Sequence, residues 1–318
     1  MIRGAADRPP PALPEMILFA QQLINGLSLG AIYAVIALGY TMVYGIIELI
    51  NFAHGDVYTA GSFVALAALT LLGASGHLAA AGVAFALVVA LLAAMLVMGA
   101  TGVVIERFAY RPLRGRQRLA PLLTAIGVSF SLENLLQLWM GPSPVPFPQL
   151  IPNPFFALGP LSIGQMQLVV IFSSLVMMVA LHFFVQRTKL GKAMRATAQD
   201  WMAAEIMGID INKTIALTFF VGSVLAGAAG VITGLYYGTI WFINGFRAGL
   251  IAFTAAVLGG IGNTTGAALG GFVIGFIEVM TAQYIGFQWA EVMIFSVLIL
   301  VLIFRPTGLL GQQLPERT

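Results

Sequence analysis

A short run of polar residues interrupts otherwise apolar sequence near the start of the chain. It reads Glu48-Leu-Ile-Asn51-Phe-Ala-His54-Gly-Asp56 and contains no lysine or arginine. Ionisable groups between apolar segments are costly in a membrane, and they normally face a bundle interior or a watery cavity. Helix breaks at such points expose backbone N–H and C=O groups that can bind a zwitterion. We therefore predict that Asn51, His54 and Asp56 line a substrate pathway; the alternative is an ordinary short surface loop.

A second polar group lies inside the apolar segment SFSLENLLQLW, residues 129–139. Glu133 and Gln137 are four residues apart, so they share one face of a helix. One hypothesis is that Glu133 and Asn134 line the same pathway. The other is that the polar side chains satisfy each other where two helices meet, and the sequence favours neither.

The residues needed for enzymatic or metal chemistry are not assembled. The chain has no cysteine, and its three histidines (His54, His77 and His182) lie far apart without metal-binding spacing. HExxH and GxSxG motifs are absent, and so is the G-x-x-x-x-G-K-[ST] loop that cradles ATP phosphates. We expect no catalytic residues, no metal and no cofactor bound by this chain, so any ATP hydrolysis would come from a partner.

The composition is that of a membrane protein. Of 318 residues, 59% are hydrophobic and 8% are charged, whereas soluble domains carry about 25% charged residues. Such a chain is stable when lipid is the solvent. The net charge of +3 comes without a basic stripe interleaved with aromatic residues, so nucleic acid is not an expected partner.

Long apolar runs predict membrane-spanning helices, each of which needs about 20 residues. Because open sheets cannot face lipid, we predict an all-α, polytopic transmembrane helical bundle of about 8–10 spans, including broken or short helices. The first run could be one tilted helix or two short ones, and the pair flanking Gly262 could be one broken element. The Pro-rich residues 1–15 are predicted to be a disordered lead, 16–311 a single transmembrane domain and 312–318 a tail. The candidate segments are 16–45, 57–73, 78–104, 119–141, 163–185, 214–238, 248–262, 265–284 and 287–304.

Positive charges predict the orientation. Two loops hold ten of the 15 lysines and arginines, while the Pro-rich 141–165 connection has none. By the positive-inside rule the basic loops are cytoplasmic and 141–165 is external. Arg305 and Arg317 favour a cytoplasmic C-terminus, the side of the N-terminus is undecided, and Arg247 stands alone on the external side as an interface anchor. The basic residues are Arg107, Arg111, Arg114, Arg116 and Arg118 in the first loop, and Arg187, Lys189, Lys192, Arg195 and Lys213 in the second.

Glycines and alanines recur at a spacing of four, which keeps them on one helix face and lets a neighbouring backbone approach closely. One interpretation is that these residues allow tight packing within this chain. The other is that one of the two series of small residues, or ladders, contacts a partner subunit. The first ladder is Gly222, Ala226, Gly230, Gly234 and Gly238, and the second is Gly262, Gly266 and Gly270.

The basic segment 187–213 is far longer than a connection between two spans requires. Its part from about Gly191 to Gly208 mixes small residues, methionine and charge, and we predict a surface helix that docks on another protein. Small side chains would allow close approach, large ones would fill a pocket, and Gly208 would end the helix. The residues assigned to this contact are Gly191, Arg195, Trp201, Met202, Ala203, Ala204 and Gly208.

Several segments, in the same order along the chain, resemble the permease subunits of high-affinity branched-chain amino-acid ABC transporters. The resemblance covers about residues 16–311 and is closer to the H-type permease than to its M-type partner, which carries extra N-terminal sequence. Relatives often have Glu where Asp56 stands and Gln where Glu133 stands. The segments are LINFAHGDVYTAGSFVAL (49–66), ERFAYRPLR (106–114), TAIGVSFSLEN (124–134), GKAMRATAQD (191–200), ALTFFVGSVLAGAAGVI (216–232), AFTAAVLGGIG (252–262) and RPTGLLG (305–311).

The resemblance implies one subunit of a five-part importer in the bacterial inner membrane. Its partners would be an M-type permease, two ABC ATPase subunits that bind ATP and Mg, and a periplasmic amino-acid-binding protein. ABC permeases carry an E-A-A-x-x-x-G pattern where they contact the ATPase. Residues Met202 to Gly208 fit it, with methionine replacing the glutamate.

Three other functions are compatible with parts of the sequence. A permease of the same superfamily could move urea, short amides or a sugar, but urea permeases tend to read INMAHGE where this chain has Phe52 and Asp56. A proton- or sodium-coupled secondary transporter could use the polar cluster as an ion site, yet the long basic segment would be unexplained. An intramembrane enzyme would need a nucleophile and a base that the sequence lacks.

Overall fold

The computed structural model describes residues 15–74, 82–115 and 119–311. Most of the predicted N-terminal lead (residues 1–14) and the tail 312–318 lie outside the described residues, as do His77, Arg116 and Arg118.

The described chain is built from helices with four short strands. A π-helical turn at Glu106–Tyr110 and a 3-10 turn at Arg111–Leu113 follow α3, and a 3-10 turn at Phe287–Trp289 precedes α11. The strands are β1 (Val145–Pro146), β2 (Phe155–Leu158), β3 (Leu161–Gly164) and β4 (Thr239–Ile240). The helices are α1 (Glu15–Ile47), α2 (His54–Ala74), α3 (Val83–Ile105), α4 (Leu119–Met140), α5 (Gln165–Arg187), α6 (Lys189–Gln199), α7 (Trp201–Ile206), α8 (Ile211–Tyr237), α9 (Asn244–Gly259), α10 (Thr264–Tyr284) and α11 (Ala290–Phe304).

Eight helices among the described residues are long and apolar enough to cross a membrane, and α9 is a shorter apolar helix of 16 residues. The predicted all-α polytopic bundle is therefore confirmed. The first apolar run is one helix of 33 residues, about 50 Å long, and not two short ones. The pair flanking Gly262 is two helices, because the backbone turns at Gly260 and Gly262 with φ of 110° and 86°, values that glycine adopts most readily.

The bundle is centred on α1, which is buried over most of its length from Gly26 to Ile47. It packs most extensively against α10 and also contacts α8, α9 and α5. Helix α8 is the second central element and packs against α2 and α3. Close packing depends on glycine: a side chain at Gly271 would overlap the α1 backbone at Ala34.

The predicted small-residue ladders pack against this chain's own elements. In α8, a side chain at Gly230 would overlap the Tyr58 carbonyl of α2. In α10, Gly266 and Gly270 lie against the backbone of α9, at Gly259 and Ala255. Among the remaining ladder glycines, Gly234 and Gly238 lie against the side chains of Phe147 and Gln149, and Gly262 is at the turn beside Gly45.

The two ends of the bundle differ in character. At one end β1 pairs with β4 and β2 pairs with β3, so the Pro-rich connection is partly ordered as two small antiparallel ribbons. The side-chain amide of Gln21, near the start of α1, donates a hydrogen bond to the Ser162 carbonyl at this end.

At the other end of the bundle, the Trp201 indole N–H donates to the Ile46 carbonyl and Arg114 donates to Asn212. The Leu310 N–H donates to the Gly259 carbonyl there as well. Both basic loops and the last described residues therefore share one end.

Candidate functional site

The polar cluster is inside the bundle and is not a surface loop. Asn51, His54 and Asp56 are 3%, 1% and 0% exposed. The chain leaves α1 through Glu48, which has a positive φ of 54°, and turns back inward before α2 begins at His54. The Tyr110 hydroxyl, from the turn after α3, lies 3.3 Å from Asn51 Oδ1.

His54 occupies a pocket made possible by a glycine of α1. A side chain at Gly39 would overlap the imidazole, and the ring of Tyr40 packs edge-on at 4.7 Å between centroids. Neither imidazole nitrogen has a hydrogen-bond partner among the described residues. Buried polar groups are normally satisfied, so His54 has unused hydrogen-bonding capacity at the centre of the protein.

Asp56 lies where three helices meet. Its Oδ2 accepts a hydrogen bond from the Ser129 hydroxyl of α4, and its Oδ1 has no partner in the described chain. Asp56 is in the first turn of α2 and contacts Gly245 in the first turn of α9. Helix N-termini carry partial positive charge, which explains how a carboxylate without an ion pair is tolerated here.

The two α4 residues predicted to line the pathway occupy different positions. Glu133 is half-buried and close enough to Asp56 for their charges to interact. Asn134 is exposed, and its amide donates to the Phe130 carbonyl at 2.7 Å. Within the described residues no hydrogen bond joins Glu133 to Gln137. The structure thus brings Asn51, His54, Asp56 and Glu133 into one region and places Asn134 on its outer side.

The basic segment is two short helices, so the prediction of one continuous surface helix is wrong. Helix α6 ends at Gln199 and α7 begins at Trp201. Asp200 separates them because its side chain accepts the N–H groups of Met202 and Ala203, the arrangement of a helix N-cap. An acidic residue followed by an apolar helical turn is the signal that could have located this break.

Four of the residues assigned to a partner contact in fact face this chain. Gly191 packs on the carbonyls at the end of α5, and Arg195 donates to the Val185 carbonyl there. Ala204 is buried, and the Trp201 indole is bonded to α1 at Ile46. These contacts fix the segment to the bundle. A partner protein can therefore bind only the side of the segment that faces away from the bundle.

The outer face of α7 is strongly apolar. Met202, Ile206 and Met207 are 74%, 80% and 81% exposed, and Ala203 is also exposed. Gly208 follows with a φ of 83° and open space around it. Exposed apolar groups clustered on a loop outside the spans are typical of a protein contact.

The sequence did not reveal a buried ionic cluster beneath the basic loops. Glu106 is fully buried and accepts hydrogen bonds from Arg111 and Arg114. Arg114 also donates to the Asn212 side chain at 2.7 Å, which ties the loop after α3 to the start of α8. Burial lowers the pKa of the Arg114 guanidinium from its ordinary value, and Glu106 opposes that shift. The signal was a single glutamate among the arginines of ERFAYRPLR.

Arg247 does not stand alone, contrary to the prediction. Its guanidinium donates to Glu278 at 2.9 Å and to Glu291 at 2.7 Å. The Tyr33 hydroxyl donates to the other oxygen of Glu278 at 2.7 Å. This network joins α1, α9, α10 and α11, and its members are too far apart in sequence for spacing to reveal it.

Comparisons with known proteins match nearly the whole chain. The model of the family described as "Branched-chain amino acid transport system / permease component" matches residues 22–302. The chain is 45% identical over 309 residues to the high-affinity branched-chain amino acid transport system permease protein BraD of Pseudomonas aeruginosa, covering 96% of this chain and 100% of the relative.

More relatives carry similar names. The LivH permease protein of Escherichia coli K12 is 43% identical, covering 95% of this chain and 99% of the relative. A probable LivM permease protein of Methanocaldococcus jannaschii is 28% identical over 163 residues, 45% of this chain and 47% of the relative. No solved structure matches. The chain belongs to the family of permease components of branched-chain amino acid transport systems.

Proposed function

We propose that this chain is a transmembrane permease subunit of an ATP-driven importer that moves leucine, isoleucine and valine across the bacterial inner membrane. The observation that carries the proposal is full-length identity of 43–45% to permeases named for high-affinity branched-chain amino acid transport. A buried polar cluster inside an apolar bundle supports a transport role, because such groups are expensive unless they serve a pathway.

The pathway we propose passes Asn51, His54, Asp56 and Glu133, and Asn134 would border it from the outer side of α4. A zwitterion needs a negative group for its ammonium and donors for its carboxylate. Asp56 has an oxygen without a partner, and the N-terminal turns of α2 and α9 carry partial positive charge. Because the cluster is closed to solvent, a helix that encloses it has to move before substrate reaches it, and separation of α4 from α2 would break the Ser129–Asp56 hydrogen bond.

Energy for this movement would come from other subunits. The sequence has no phosphate-binding loop, so ATP and Mg would be held by two ATPase partners and no cofactor by this chain. The proposed ATPase contact is the outer face of α7, formed by Met202, Ile206 and Met207. A second, M-type permease and a periplasmic amino-acid-binding protein would complete the importer.

The proposed orientation follows from charge. The end of the bundle that holds both basic loops and the last described residues would be cytoplasmic. The end with the β ribbons, and with it the start of α1, would be periplasmic.

Uptake of labelled leucine tests the proposal. In cells that lack other leucine systems, deleting this gene while keeping the other subunits should abolish high-affinity uptake, and re-expression should restore it. Unlabelled isoleucine and valine should compete, whereas urea should not. Uptake that persists after deletion, or that collapses with a protonophore while cellular ATP is maintained, would contradict the proposal in favour of another cargo or a secondary transporter.

A further inference from the structure

The outer helices differ in the side chains that they expose on the face opposite the bundle. Away from their ends, the described residues on the open faces of α3, α5 and α11 include no carboxylate or carboxamide, and Ser296 carries an exposed hydroxyl. Such surfaces suit hydrocarbon. Their exposed side chains include Val88, Leu92 and Leu96 in α3, Phe172, Leu175 and Val176 in α5, and Ile299, Leu300 and Ile303 in α11.

Helix α4 has a different open face. Ser131 and Asn134 are exposed, and Glu133 and Gln137 are half-buried. The helix has 22 residues, so these four lie within about 12 Å of its midpoint, inside a hydrocarbon core about 30 Å thick. The Ser131 hydroxyl and the Asn134 amide donate to carbonyls of α4 itself, but lipid offers no partner for the remaining amide groups and cannot solvate a carboxylate at that depth. Something other than lipid must therefore cover this face.

Gly127 gives independent evidence from packing. Side chains built at the glycines of α1, α3, α8, α9 and α10 would meet another element of this chain, but one at Gly127 meets nothing within 4 Å. Gly127 and Ser131 are one step of four apart on the exposed side of α4. Small residues at this spacing let a second membrane helix approach closely.

We propose that the α4 open face, formed by Gly127, Ser131, Asn134 and Leu138, packs against the second, non-identical permease subunit of the importer. The proposal rests on the proposed function, since it takes the partner from that importer. It assigns to this face the contact that satisfies the amide and carboxylate of α4 and fills the space at Gly127.

Charge distinguishes this occupant from a second copy of the chain. In a two-fold homodimer the same patch lies on both sides, so both Glu133 carboxylates would be enclosed in one dehydrated contact. Like charges at close range in a low-dielectric contact are strongly unfavourable. A different chain can instead present a hydrogen-bond donor or a cation to Glu133 and a small residue to Gly127.

Site-specific photo-crosslinking in the intact importer tests the proposal. The benzophenone amino acid p-benzoylphenylalanine is placed at Asn134, and separately at Phe172 of α5 and Ile299 of α11 as exposed controls. Irradiation should give a covalent adduct with the M-type permease, identified by mass spectrometry, from position 134 and not from the controls. An adduct between two copies of this chain, or no subunit adduct from position 134 in an assembled importer, would overturn the proposal.

A matched pair of substitutions gives a second measurement. Gly127→Leu adds bulk where this chain has open space, so the subunit should fold normally while co-purified M-type permease falls about tenfold or more, as expected for an overpacked contact. Ala180→Leu, on the exposed side of α5, should leave co-purification unchanged. Equal behaviour of the two variants would contradict the assignment.

Leucine uptake by cells that carry the unsubstituted chain separates this inference from the proposed function, because Asn134 is itself beside the proposed pathway. Adducts from position 134 without leucine uptake would leave the interface standing and reject the cargo. Leucine uptake without such adducts would support the cargo and reject the interface.

Discussion

At the scale of residues, the central feature is a polar cluster that the chain does not satisfy by itself. His54 has two nitrogens and Asp56 one oxygen without partners among the described residues. An unsatisfied buried polar group costs about 1–3 kcal/mol, and several in one place call for an explanation, which the proposed substrate pathway supplies. Their neighbours are glycine backbones, Gly39 beside His54 and Gly245 beside Asp56, which leave room for these side chains.

We expect His54→Ala and Asp56→Ala to lower leucine uptake about tenfold or more, the consequence of losing one strong polar contact to a charged ligand. Insertion and assembly should persist, because each change removes a buried group with an unsatisfied atom. The measurements are uptake and co-purification of the other subunits. Thr101→Ala is the control, since that hydroxyl bonds the Val97 carbonyl of its own helix. Normal uptake in both variants would show that the cluster is structural.

A companion prediction concerns the pocket itself. Gly39→Ala should destabilise the protein by about 1–3 kcal/mol, because the new methyl group overlaps the His54 ring. Adding His54→Ala should recover most of that loss, since it removes the overlapping ring. Thermal unfolding of the purified subunit in detergent measures both. A double variant no more stable than Gly39→Ala would show that the strain arises elsewhere, for example at the Gly222 carbonyl nearby.

At the scale of elements, the segment between α5 and α8 has an inner and an outer face. Gly191, Arg195 and Ala204 hold it against the bundle. Two adjacent exposed residues at the end of α7, Ile206 and Met207, provide apolar surface for a partner. Because the inner face is fixed to the bundle, a movement of a partner bound to the outer face can be transmitted to the spans that the segment joins.

We expect Ile206→Glu and Met207→Glu to reduce ATPase co-purification about tenfold, because buried apolar anchors dominate such contacts. Uptake should fall in parallel while the spans remain folded. Glu205→Gln, an exposed neighbour, is the control. Ala204→Trp is a different experiment, because Ala204 is buried and its enlargement would disturb packing within this chain. Full ATPase recruitment by both glutamate variants would exclude α7 as the coupling contact.

The buried ionic cluster makes a separate prediction. Glu106→Ala should destabilise the protein by about 3–5 kcal/mol, since it leaves partly buried arginines without their carboxylate. Lys213→Ala removes an exposed ion pair with Asp210 and should change stability little. Thermal unfolding of the two purified variants compares them directly. Similar stability in both would mean that Glu106 does not hold the loop after α3 to α8.

At the scale of the whole molecule, the arrangement separates a buried centre from an outer layer. Helices α1 and α8 are buried over most of their apolar stretch, whereas less than a third of the apolar stretch of α3, α4, α5 and α11 is buried. All the basic residues of the two long loops that the structure describes belong to one end of the bundle. The positive-inside rule places that end in the cytoplasm in the proposed orientation.

We expect a cysteine introduced by Ala157→Cys to react with a membrane-impermeant maleimide in intact spheroplasts, because it lies in the proposed periplasmic β2 strand. A cysteine introduced by Met207→Cys should react after permeabilisation and not before. The natural chain has no cysteine, so it is the unlabelled control. The opposite pattern of labelling would invert the proposed orientation.

The sequence by itself determined the class of the protein and most of its elements. Apolar runs of about 20 residues have few alternatives in lipid, so the helices appear close to where hydropathy places them. The family was evident because its motifs occur in order along nearly the whole chain. The residues of the polar cluster could also be named in advance, since acids and histidines are rare in apolar sequence.

The tertiary structure decided what each polar residue contacts. Asp56 meets Ser129, Arg247 meets Glu278, and Trp201 meets Ile46 across 73, 31 and 155 residues of sequence, separations at which spacing carries no information. It also decided which face of each helix is covered. Periodicity is weak in a helix that is apolar all round, because lipid and a protein core both accept the same side chains. For that reason the open, polar face of α4 became visible only when the helices were packed together.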